Sequence, residues 1–98
     1  MNKKSITIAL GNYYLVAETK DQLTRITFDI SRNASTVIIH DYTVEKSETF
    51  FDKDFMHAIL LSLKKRGISH VLTDVLPDGM LPMCGHLDKT LHCDLRVL

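Results

Sequence analysis

From Ser5 to Lys46 the apolar positions recur every second residue, and polar clusters interrupt them at short intervals. That is the pattern of half-buried strands joined by tight turns. "SITIAL" is short and β-branched, and Gly11-Asn12 ends it. "YYLVAET" follows, with Tyr13, Leu15 and Ala17 alternating against Tyr14, Val16 and Glu18. Lys20-Asp21-Gln22 is a polar turn. "LTRITFDIS" places Leu23, Ile26, Phe28 and Ile30 at apolar positions, with Thr24 and Arg25 disturbing the phase. "SRNAS" is the next turn and "TVIIHDYTVEK" the next strand. The first half is therefore expected to be an antiparallel meander of three or four strands.

The period changes after Phe51. Phe55, Met56, Ile59, Leu60 and Leu63 recur at helical spacing. Asp52 is a suitable N-cap, and Asp54 stands in the first turn, where the helix dipole favours an anion. Lys64, Lys65 and Arg66 close the helix, and Gly67 supplies a left-handed cap. The spacing predicts a helix over about 52–66, with Phe50 or Phe51 stapled onto its first turn. "ISHVLTDVL" reads as a buried central strand and Pro77-Asp78-Gly79 as a turn. Met80 to Leu91 is expected to form a short irregular helix, broken by Pro82 and Gly85. "HCDLRVL" is read as a last strand with Cys93, Leu95 and Val97 on one face. Strand-helix-strand connections of this kind predict right-handed parallel crossovers. The expectation is one α/β domain over residues 1–98, with a mixed five- or six-stranded sheet of the ribonuclease H-like kind.

Composition narrows the function. Twelve basic and twelve acidic residues cancel. A neutral chain has no broad electrostatic footprint for nucleic acid or anionic membrane. No stretch approaches the roughly 18 apolar residues of a membrane span. The run Ile6–Leu10 lacks the length and cleavage site of a signal peptide, so a cytoplasmic location is expected. Cys84 and Cys93 are then expected to be reduced.

The segments "ITFDISRNASTVIIHDYTVE", "FMHAILLSLKKRGISHVLTDVLPDGM" and "CDLRVL" together resemble the dinitrogenase iron–molybdenum cofactor biosynthesis family. The resemblance runs from about Ile26 to Leu98. It implies a ribonuclease H-like domain that binds or carries a metal cluster.

The residues themselves offer two candidate sites. Met83, Cys84 and His86 combine thioether, thiol and imidazole, which suit copper(I), zinc or an iron–sulfur species. On a helix Cys84 and His86 would lie about 200° apart, so sharing an ion requires Gly85 to break the helix. On a strand, His92 and Cys93 point to opposite faces. Packing is the favoured reading of this stretch, with Met80, Met83, Cys84 and Cys93 filling the interior. Thr73, Asp74 and Asp78 stand where the central strand ends, the usual ligand crevice of open α/β sheets. A two-metal nuclease needs several convergent carboxylates, which the first strand lacks. No serine sits in a G-x-S-x-G elbow and no phosphate loop is present. The sequence thus points to a non-enzymatic binding domain, a carrier or regulator of a metal-containing cofactor. The alternative is a small protein–protein interaction module, such as an adaptor, inhibitor or immunity protein, with no cofactor. Another protein is the expected partner in either case.

Overall fold

The structure is a computed structural model that describes residues 6–47, 53–76, 80, 84–87 and 90–98, with backbone alone at 47, 84, 86 and 87. Four strands come first: β1 (Ile6–Leu10), β2 (Tyr14–Thr19), β3 (Thr24–Asn33) and β4 (Thr36–Ser47). The helix α1 (Lys53–Lys65) follows, then β5 (His70–Thr73), β6 (Cys84–Leu87) and β7 (Thr90–Asp94). A 3₁₀ turn over Leu95–Val97 closes the chain. Among the described residues, seven strands make one mixed sheet in the order β1-β2-β3-β4-β5-β7-β6. The meander is antiparallel throughout, and β5 joins β4 in parallel, with Val37 opposite Val71.

The helix matches its sequence signals. Asp54 lies in its first turn, Lys64 and Lys65 lie in its last, and Phe55, Met56, Ile59, Leu60 and Leu63 are buried. Gly67 has φ of +90°, its N–H bonds the Lys64 carbonyl, and the Ile68 N–H reaches back to the Leu63 carbonyl. That pair of bonds is a Schellman motif, and buried Leu63 and Ile68 supply its hydrophobic contact. The Asp52 cap and the Phe50/Phe51 staple lie outside the described residues.

One face of the sheet is buried. Leu15, Ala17, Ile26, Phe28, Val37, Ile39, Val71 and Cys93 form a single cluster with the helix residues. Met80 packs partly buried against it. The packing reading therefore holds for Met80 and Cys93.

Four expectations are corrected. The second helix is absent among the described residues. Within the segment 80–91, residues 84–87 form β6, an antiparallel hairpin partner of β7, with Cys84 opposite Cys93 and Leu87 opposite Thr90. Pro82 and Gly85 weaken a helix there, and the hairpin satisfies the backbone instead. "LDKT" has none of the Asn-Gly or Asp-Gly signal of a two-residue hairpin loop, so the sequence hides it. With β6 added, the sheet has seven strands where five or six were expected. The second parallel crossover is replaced by an antiparallel β5–β7 pair, with Val71 opposite Cys93. The last strand stops at Asp94 rather than running to Val97. The Asp94 carboxylate accepts from the Arg96 backbone N–H and turns the chain into the 3₁₀ segment, leaving Val97 exposed.

Candidate functional site

Strand alternation sorts the sheet into two faces. The helix covers the face of Ile30, Ile39, Val71, Thr73, Leu91 and Cys93. Ser31, Ile38, His70, Leu72 and His92 therefore belong to the opposite face, where they are partly exposed. No described helix covers that face.

Two polar pairs mark it. Ser31 Oγ lies 2.7 Å from His40 Nε2, across β3 and β4. A bulge between Asp29 and Ile30 shifts the β3–β4 register here. His70 Nδ1 lies 2.9 Å from His92 Nε2, across β5 and β7. The two imidazole centroids are 5.0 Å apart and the facing nitrogens only 2.9 Å, so the rings meet largely end-on. One imidazole donates and the other accepts, so the contact holds one proton between two rings. Beside this pair, Asp94 takes two hydrogen bonds from the Arg96 guanidinium, at 2.9 and 2.8 Å. Those bonds, with the Arg96 backbone N–H next, hold the Asp94 carboxyl well below the usual carboxylate range. The same contacts raise Arg96.

A serine bonded to a histidine is the start of a nucleophile–base pair. Here both residues lie on an open sheet face, and no hydrogen bond among the described residues orients the other imidazole nitrogen. The arrangement suits recognition of a ligand's polar groups. Nor does any group of three or more His, Cys, Asp or Glu side chains converge as a metal site among the described residues.

Of the site residues singled out in the sequence, the structure describes the side chains of Thr73 and Asp74 and the backbone of Cys84 and His86. Thr73 is buried, donating to the Ile39 carbonyl at 3.1 Å and accepting from the Val75 N–H at 3.2 Å. Its hydroxyl ends β5 and ties it to β4. Thr73→Val keeps the shape and removes both bonds, so it should lower stability by about 1–3 kcal/mol. A urea melt checks this; an unmoved midpoint would show that the hydroxyl holds nothing in place. Asp74 is exposed just past the strand. Asp78 and Met83 lie outside the described residues. Cys84 and His86 are placed as backbone in β6, two positions apart on a strand instead of on a helix.

The sequence missed the His70–His92 and Ser31–His40 contacts. They join residues 22 and 9 positions apart and follow only from strand pairing and register. Neither His40 nor His70 stands in a local motif that would reveal its partner.

A second surface lies at the other end of the sheet. Tyr13 lies in the β1–β2 turn and Tyr14 opens β2, and they are 79% and 49% exposed. The Tyr14 ring occupies the space where a side chain at Gly11 would project. Alongside, Thr7, Ile8, Ala9, Val16, Glu18 and Arg25 line a shallow depression of about 270 Å³. Arg66, just past α1, donates from Nη2 to the Ile8 carbonyl at 3.3 Å. No described helix is long and apolar enough to cross a membrane. In comparison with known proteins, no family model, no curated protein and no solved structure matches the chain.

Proposed function

We propose that this chain is a non-enzymatic protein-interaction domain that engages its partner at the β1 end of the sheet. One observation carries the reading. The sheet ends in an uncharged strand, "ITIAL", flanked by exposed Tyr13 and Tyr14 and by Arg66. Tyrosine and arginine are the side chains most enriched at interface hot spots. An edge strand without charge, proline or bulge is the kind that natural proteins leave open only where something pairs with it or covers it. Cytoplasmic placement goes with this reading.

The test is site-directed photo-crosslinking in the cell that makes the protein. A photo-reactive residue at position 13 should yield one discrete adduct with a second protein. The same residue at position 61, on the exposed side of α1, should yield none. Adducts from position 61 and none from position 13 would move the interface elsewhere. The absence of discrete adducts from either position would remove the proposal.

A second reading keeps the metal-containing cofactor that the family resemblance implies, together with a ribonuclease H-like fold. The mixed sheet, the meander and the parallel β4–β5 pair support that fold. One observation bears on the cofactor: the backbone over Cys84–Leu87 is a strand, which removes the helical spacing that would set Cys84 and His86 about 200° apart. Metal analysis of protein purified without oxygen decides it. Stoichiometric metal that disappears on replacing Cys84 and His86 by alanine would favour the carrier.

A further inference from the structure

Register fixes which backbone groups of β1 are satisfied. The Gly11 N–H bonds the Tyr14 carbonyl at 2.9 Å, so that pair is a hydrogen-bonded one. Antiparallel pairs alternate. Ala9–Val16 and Thr7–Glu18 are then hydrogen-bonded pairs as well, and Leu10–Leu15, Ile8–Ala17 and Ile6–Thr19 are not. The N–H and C=O groups of Ile6, Ile8 and Leu10 therefore point away from β2, towards the free edge. The Arg66 contact agrees, because it reaches the Ile8 carbonyl from that side. Among the described residues no strand lies beyond β1.

Arg66 acts as a removable cover. It brings a cation to the edge, beside exposed Lys65, and neither residue has an ion-pair partner among the described residues. A strand that pairs with β1 must take the Ile8 carbonyl from Arg66. The displaced guanidinium then needs an acceptor, and a carboxylate on the incoming strand meets its forked donors. The other side chains of such a strand would alternate, and those on the helix-free side would pass the depression lined by Thr7, Ala9 and Val16.

Resting on the reading of the β1 end as the interface, we infer that the free edge of β1 accepts an extended acidic segment of a partner protein as an added strand. In binding, Arg66 passes from the Ile8 carbonyl to a carboxylate of that segment. Pairing with a second copy of this chain is disfavoured. An antiparallel β1–β1 pair centred on Ile8 would bring two Arg66 side chains to one place, and like charges in contact are costly.

The probe is a displayed library of random nine-residue peptides selected on the full chain. Enriched peptides should be β-branched, free of proline in the centre, and acidic. A synthetic peptide from the selection should slow hydrogen exchange at the Ile8 and Leu10 amides. Arg66→Glu, a surface change, should weaken it by roughly tenfold or more. Ile8→Pro removes an edge N–H without breaking a bond to β2, and should abolish binding. Circular dichroism checks that each variant is folded; if Ile8→Pro is not, Arg66→Glu and the exchange data stand alone. Peptides without acidic preference, insensitivity to Arg66→Glu, or protection confined to other strands would each overturn the inference. So would a concentration-dependent dimer in sedimentation that Arg66→Glu leaves intact. Crosslinking from position 13 that persists in Arg66→Glu would spare the interface and sink only the strand-pairing mode.

Discussion

Phe28→Ala should destabilise the fold by about 3–5 kcal/mol, the usual loss for a buried aromatic truncated to alanine. Phe28 is fully buried at the middle of β3, paired in register with Leu15 on β2 and Tyr42 on β4. Its ring sits 6.1 Å from the Tyr42 ring, tilted by 35°. The strands on both sides are fixed by backbone ladders, so they cannot collapse into the space the ring leaves. The effect should sit near the upper end for that reason. Domains of this size are stable by about 5–15 kcal/mol in total. The variant should therefore keep only a modest margin, visible as an early midpoint in urea. A loss below 1 kcal/mol would mean that the sheet repacks freely around position 28.

Leu60→Ala should cost about 2–5 kcal/mol, from lost transfer energy plus the cavity left behind. Leu60 is fully buried in the centre of the helix stripe, between Met56 and Leu63. Alanine has the higher helix propensity, so the helix itself gains slightly and the loss must come from packing. Leu61→Ala, one position round the helix and partly exposed, is the matched control and should change stability by less than about 1 kcal/mol. Equal effects at 60 and 61 in paired melts would show that the helix is rotated from the orientation described.

The strands and the helix were legible because each buries one face only. Alternation at Ile26, Phe28 and Ile30, and helical spacing from Phe55 to Leu63, carry the direction of the core in the local sequence. Gly67 was legible for a different reason: a left-handed residue after a run of lysines has few other uses. The stretch from Met80 to Leu91 was not legible. A four-residue strand containing glycine has little periodicity, and its stabilising contacts come from β7, which lies on one side only. The end of β7 was obscured because "DLRV" alternates well; the local hydrogen bonds of Asp94 override that alternation. The candidate site was the least legible part. The place of Thr73 at a strand end suggests a ligand position, and the structure shows its hydroxyl bonded to the backbone of Ile39 and Val75. The β1 edge could not be recognised until the strand order placed β1 at the margin of the sheet.

That order has a consequence for the sequence of events during synthesis. Every strand but one lies beside its predecessor, and β1 to β4 can assemble as the chain emerges. The exception is β6, which β7 separates from β5. Within the sheet, β6 is made before the strand that anchors it and has no other neighbour. The growing chain must hold residues 84–87 unattached until residues 90–94 have left the ribosome. Completion of the sheet therefore waits for residues 90–94, and a chain cut short at residue 89 would leave β6 with no strand to join.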